Sequence, residues 1–130
     1  MALPERLDET SFAFLDITSQ DNWKTFVVVF GSLTVVGATN YTGRYHVEGK
    51  VIRFQVRFSA ATSVQSTAGT DYLTLPIAAK GMAGMAVMTN DSTNIAVGLC
   101  HIDASTGRCY LPTQAPSADT FNLAGWYEIG

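Results

Sequence analysis

Residues 51–60 read VIRFQVRFSA, and the fold turns on them. Ile52, Phe54, Val56 and Phe58 form one row, and Val51, Arg53, Gln55 and Arg57 form the other. Successive side chains leave a strand on opposite faces, so strict alternation marks a half-buried strand. The even row is a core row. The odd row, with its two arginines and a glutamine, faces water, a ligand or another copy of the chain.

The neighbouring segments extend the same reading. RYHVEGK (44–50) is a strand that ends in a Glu-Gly-Lys turn and leads into residue 51. WKTFVVVFG (23–31) is β-branched and aromatic and reads as one strand, SLTVVG (32–37) as a second, and GATNYTG (37–43) as a loop. Downstream, SAATSVQSTAGT (59–70) reads as a long small-residue loop and DYLTLP (71–76) as a strand stopped by Pro76. In IAAKGMAGMAVMT (77–89), Gly81 and Gly84 argue against a helix and favour a bend followed by a strand. Residues 89–94 form a turn. IAVGLCHI (95–102) and RCYLP (108–112) form a hairpin about DASTG, and TQAPSAD (113–119) is a loop. TFNLAGWYEI (120–129) alternates again: Phe121, Leu123, Tyr127 and Ile129 on one side, Asn122, Ala124, Trp126 and Glu128 on the other. SFAFLDI (11–17) alternates briefly before the TSQDN turn, and residues 1–11 read as a flexible lead-in to one domain over 12–130. The expected fold is an all-β antiparallel sandwich or jelly roll of about eight to ten strands.

Composition bounds what such a domain does. The chain has 130 residues, enough for one compact core. Charged residues make up 15%, against roughly 25% in ordinary soluble domains, while 15 Thr and 9 Ser supply neutral hydroxyls. A surface with few charges to desolvate tolerates close contact with another surface; a Thr-rich β protein is the plainer account. Net charge is −3, with no basic stripe to suggest nucleic acid. No apolar run approaches the roughly 18 residues of a membrane span, and the acidic N-terminus has no signal-peptide core, so cytoplasmic synthesis is expected.

Chemical motifs are sparse. His46 and His101 belong to no HExxH pattern, no Gly-rich phosphate loop is present, and most carboxylates sit in turns, so no catalytic residue, cofactor or metal is assigned. Cys100 and Cys109 flank the hairpin turn and are expected as free, partly buried thiols, a cross-hairpin bridge being the alternative. Asn40, Tyr41, His101, Arg108 and Tyr110 are candidate ligand contacts, chosen as aromatic, cationic or amide groups beside turns. Arg53, Gln55, Arg57, Trp126 and Glu128 are candidate interface residues. In that role the arginines would meet carboxylates or the indole on a neighbouring subunit. The alternatives are a charged row that guards an exposed strand, and a tryptophan lying under a loop of its own chain.

Four phrases carry a resemblance. GATNYTGRYHVEGKVIRFQVRF contains Tyr41, Gly43 and Tyr45, then Gly49 and the alternating strand; AGTDYLTLPIAAKG, AVGLCHIDASTGRCYLP and ADTFNLAGWYEI follow in order. Over residues 23–129 the chain resembles the distal modules of bacteriophage tail fibres and tailspikes. The resemblance implies a β-sandwich or jelly roll that forms a homotrimer in the virion tail. It also implies contact with other tail proteins and recognition of a bacterial surface, glycan included. A decoration, collar or fibre-capping subunit without receptor binding is the alternative, and a polysaccharide-cleaving enzyme the third reading. Such modules end long chains, whereas this one has its own Met1 a short distance ahead of residue 23.

Overall fold

The computed structural model describes residues 23–77, 84–103 and 106–129. The expected lead-in over 1–11, the strand at 11–17, its TSQDN turn and most of the 77–83 bend lie outside the described residues. The strands are β1 (Lys24–Phe26), β2 (Phe30–Gly31), β3 (Thr34–Val36), β4 (Thr39–Glu48), β5 (Val51–Ala60), β6 (Ser63–Ser66), β7 (Tyr72–Thr74), β8 (Gly84–Asn90), β9 (Ile95–Asp103), β10 (Arg108–Tyr110), β11 (Gln114–Ser117) and β12 (Phe121–Glu128). They form a curled nine-stranded sheet, in the order β1-β4-β5-β12-β8-β9-β10-β7-β2, and a three-stranded sheet, β11-β6-β3. The fold is all-β, antiparallel and sandwich-like, the class expected from the sequence.

The core is the inward row of each long strand. Ile52, Phe54, Val56 and Phe58 are buried on β5, opposite Tyr127, Gly125, Leu123 and Phe121 of β12. Phe58 packs between Phe121 and Phe30, with ring centroids at 5.7 and 5.1 Å. Phe30 belongs to the far edge strand β2, so these contacts close the curl of the sheet. At the β4–β5 turn, Gly49 has φ +61°, suiting the first central position of a two-residue primed hairpin.

Four expectations are corrected. Residues 23–31 are not one strand: β1 pairs with β4 at one edge, and β2 pairs with β7 at the other. Val27–Val29 cross between those edges, with Val28 buried and its neighbours exposed, so their apolar character reflects a strap across the open side of the curl. Residues 37–43 are not a loop, because β4 starts at Thr39 and pairs with β5 from Thr39↔Ala60 onward. Gly43 suggested flexibility, but a Cβ there would lie 2.6 Å from Val28 Cγ2, so it is a packing glycine in a strand. Residues 59–70 contain the end of β5 and all of β6, whose Val64 and Ser66 are buried; Ser66 Oγ donates to Pro112 O at 2.6 Å. Residues 113–119 contain β11, an edge strand able to hold Pro116. These short pieces raise the strand count to twelve among the described residues.

Tyr127 fastens the core to the segment after β7. Its hydroxyl donates to Ile77 O at 2.6 Å and accepts from Ile77 N at 3.2 Å. Burial pushes its phenol up from 10.0 to about 12, against the pull of the Ile77 backbone. A proton held more tightly in the folded state gives stability that is complete below the unfolded pKa and is lost as pH rises through the folded one. The associated stability, on the order of 2–3 kcal/mol, should therefore decline between pH 10.0 and about 12. Tyr127→Phe should cost about 1–2 kcal/mol at neutral pH, and its urea midpoint should approach the wild-type value as pH passes 10.0. A gap that stays constant with pH would refute this assignment.

Candidate functional site

The outward rows of the nine-stranded sheet align across strands. His46 pairs with Arg53, Arg53 with Trp126, and Trp126 with Met85. One step beyond Ala86↔Cys100, the register sets Met85 level with His101. His101 pairs with Tyr110, Tyr110 with Tyr72, and Tyr72 with Gly31. At the other end the Trp23 ring lies 5.6 Å from that of His46. One transverse line of rings and cations thus crosses the outer face of the sheet. Cross-strand partners sit roughly 5 Å apart, so each position on the line stands beside the next.

The half of the face over β4, β5 and β12 is polar and internally bonded. Arg53 Nε donates to Glu48 Oε1 at 2.7 Å, and Arg57 Nη2 lies 3.2 Å from Asp91 Oδ2. Arg44 Nε and Nη2 donate to Gln55 Oε1 at 3.0 and 2.7 Å; Gln55 Nε2 in turn donates to Asn122 Oδ1 at 3.2 Å. The Arg44 guanidinium also stands 4.6 Å from the Trp23 ring centroid. Register and turn position put Glu48 and Asp91 within reach of Arg53 and Arg57 on the same chain. Arg53 holds the Glu48 carboxyl below its ordinary value, chiefly through their hydrogen bond. Both groups are exposed, so the pair adds little to stability. His46 Nε2 is 3.6 Å from Glu48 Oε2, so His46 belongs to this bonded set.

Beside that network the face turns apolar. Trp126 is 36% exposed, Met85 52% and Leu99 69%, with Val87 half-buried among them. Val87 pairs with both Ala124 and Leu99, which makes the apolar area contiguous across β12, β8 and β9. The Trp126 row does leave the core, as the alternation of β12 indicates. Glu128 closes that strand opposite Val51, half-buried.

The far end of the line is an aromatic cluster. Tyr72 and Tyr110 meet edge to face at 5.6 Å, and the Tyr110 and His101 rings lie 6.3 Å apart with planes at 28°. The Tyr72 ring lies over Gly31, where a Cβ would fall 2.2 Å from Tyr72 Cζ. Arg108 stacks on Tyr72 at 4.1 Å, and its Nη1 donates to the Tyr110 hydroxyl at 3.4 Å, which raises the Arg108 pKa. A groove of about 360 Å³ runs alongside, lined by Gly69, Leu99, His101, Asp103, Tyr110 and Pro112 among others.

The five candidate ligand contacts therefore separate. His101, Arg108 and Tyr110 come together on β9 and β10. Asn40 and Tyr41 lie at the start of β4, beside a shallow depression of about 170 Å³ with Arg57 and Thr120. Strands β5, β12 and β8 stand between the two groups. Tyr72, Trp23 and Leu99 joined the face without being singled out in the sequence, because only the strand order sets them beside the others; Met85, expected with Met88 as core filler, is 52% exposed, whereas Met88 is buried.

Cys100 and Cys109 are free and buried. Their mutual hydrogen bond, and then burial, push the Cys109 thiol up, so it stays protonated and unreactive. Among the described residues no group of three His, Cys, Asp or Glu is placed to hold a metal ion. Comparison with protein-family models, curated proteins and solved structures finds no match for this chain.

Proposed function

We propose that this chain is a non-catalytic binding module of a bacteriophage tail, which assembles as a homotrimer and recognises a bacterial cell surface. The observation that carries the reading is the outer face of the large sheet. It joins an exposed apolar area at Trp126, Met85 and Leu99 to an open cluster of tyrosine, histidine and arginine. Contiguous exposed apolar side chains on a domain of this size mark contact with another macromolecule. Tyrosine, tryptophan and arginine are the side chains that supply most energy per contact when covered. The order of the sequence phrases over residues 23–129 supplies the virion setting.

The two halves of the face divide the work. Sister chains cover Trp126 and Met85, with the Arg53–Glu48 and Arg57–Asp91 pairs at the rim of the contact and Gln55 and Glu128 beside them. The β9–β10 end stays open to the host. In a decoration or collar subunit, the alternative reading, that end would meet other virion proteins instead of the host.

Fluorescently labelled protein incubated with a panel of bacterial strains should adsorb saturably to at least one of them. Unlabelled protein should displace it. Absence of saturable adsorption across the panel, by a chain that is folded and assembled, would reject surface recognition and leave the structural virion role.

A further inference from the structure

We infer that the groove between β1 and β5 is a binding site for a phosphate monoester, separate from the β9–β10 cluster and independent of the surface-recognition reading. The groove encloses about 340 Å³ and is lined by Thr25 of β1, by Thr42, Gly43 and Arg44 of β4, and by Gln55 and Arg57 of β5. No carboxylate is among these six. The register sets Arg44 between Thr25 and Gln55, and sets Thr42 opposite Arg57. The two guanidinium groups therefore stand on a diagonal across the β4–β5 pair. Hydrogen bonding leaves the groove lined with donors. Arg44 donates through Nε and Nη2, both to Gln55 Oε1 at 3.0 and 2.7 Å. A guanidinium has five N–H donors, so three remain, and they have no partner among the described residues. The Trp23 ring, 4.6 Å from the guanidinium, and Gln55 together hold its plane. Gln55 turns its oxygen to Arg44 and its Nε2 to Asn122, so it aims no free carbonyl oxygen at a ligand. The hydroxyls of Thr25 and Thr42 are unpartnered among the described residues and can donate as well.

Charge and shape select the ligand. Arg57 keeps one carboxylate, Asp91, 3.2 Å from its Nη2 and outside the lining. Arg44 has none. Glu48 is held by Arg53 at 2.7 Å and lies four residues along β4 from Arg44, roughly 13 Å away, with His46 between them. Glu128 is farther still, at the end of β12 opposite Val51. One uncompensated cation thus faces the groove in a chain of net charge −3. A carboxylate ligand presents two oxygens in one plane, which a single guanidinium fork satisfies. Here donors converge from three strands, which suits the three oxygens of a tetrahedral phosphoryl group. At the roughly 30 Å³ that one water occupies, the five heavy atoms of phosphate would fill less than half of the groove. The remaining space takes a small organic substituent, which makes the ligand an ester.

Nitrogen–proton correlation NMR on the full chain tests this, read at the arginine Nε–H groups and at the backbone amides of Thr42 and Gly43. The chain is titrated at constant ionic strength, at about pH 7.5 where a monoester carries close to two negative charges. The ligands are phenyl phosphate, inorganic phosphate and benzoate. Phenyl phosphate should shift the Arg44 Nε–H signal saturably. Its Kd should be at least about threefold below that of inorganic phosphate and at least about tenfold below that of benzoate. Arg44→Gln, at an exposed position, should weaken phenyl phosphate binding at least about tenfold as read from the two amides. Arg44→Lys, which keeps the charge and loses the fork, should weaken it at least about threefold. Circular dichroism shows that both variants are folded. No saturable shift in the wild type, benzoate or inorganic phosphate bound as tightly as the ester, or an unchanged Kd in Arg44→Gln would overturn the inference.

Discussion

Gly125→Val should unfold this protein or remove most of its stability. Gly125 lies in the middle of β12 on the core row, between Phe54 of β5 and Ala86 of β8. Strand propensity favours the substitution, since valine outranks glycine in strands by about 1 kcal/mol or less. Packing opposes it far more strongly. A Cβ at this position would fall 2.4 Å from Met85 O and 2.7 Å from Ala86 Cα. Those are backbone atoms of the neighbouring strand, so relief requires separating β12 from β8. Overpacking alone costs about 1–3 kcal/mol, and the lost ladder bonds add to it. Against a total stability of about 5–15 kcal/mol, a drop of about 4 kcal/mol or more is expected. Ala124→Val, one residue away on the exposed row, is the control and should change stability by less than about 0.5 kcal/mol. Urea denaturation followed by circular dichroism reads both. A Gly125→Val midpoint within error of the control would show that the strand pairing around β12 is wrong.

The second large effect concerns assembly. On the proposed assembly, Trp126→Glu should dissociate the trimer and leave the fold in place. Trp126 lies on the outward row and outside the buried core cluster, so the core keeps its packing when the indole goes. Covering a tryptophan or methionine is worth roughly 1.5–3 kcal/mol per side chain. A carboxylate there loses that gain at each interface and must be desolvated on association. The trimer should therefore dissociate at protein concentrations at least about a hundredfold higher than for wild type, equivalent to about 2.7 kcal/mol. Sedimentation velocity over a dilution series measures the shift, and thermal unfolding of the dissociated species shows whether the fold is intact. A dissociation midpoint unchanged by this substitution would remove Trp126 from the interface.

Local periodicity made the long strands legible. β5 and β12 could be read from their alternation alone, because each has one face in the core and one outside, and the two are partners in the sheet. Short strands escaped notice for local reasons. Val64 and Ser66 are the buried pair of β6, but serine and glutamine around them look like loop. Gly43 reads as a breaker, yet it is the only residue small enough to sit under Val28. Val27–Val29 read as strand, yet they are the strap between opposite sheet edges. The face itself could be read only in part. Trp126 and Tyr110 were visible as outward aromatics. That Tyr72 lies beside Tyr110, and Met85 beside Trp126, depends on β7 pairing with β10 and β8 with β12. Neither pairing joins consecutive strands across a tight turn, so no local pattern announces it.

On the proposed assembly, sister chains cover Trp126 and Met85 on the outer face. The most direct measurement is the mass of the wild-type protein by light scattering during gel filtration at micromolar concentration. A single species of three times the 14.0 kDa chain mass is expected. A single peak at 14.0 kDa, with Trp126 and Met85 left in solvent, would contradict it.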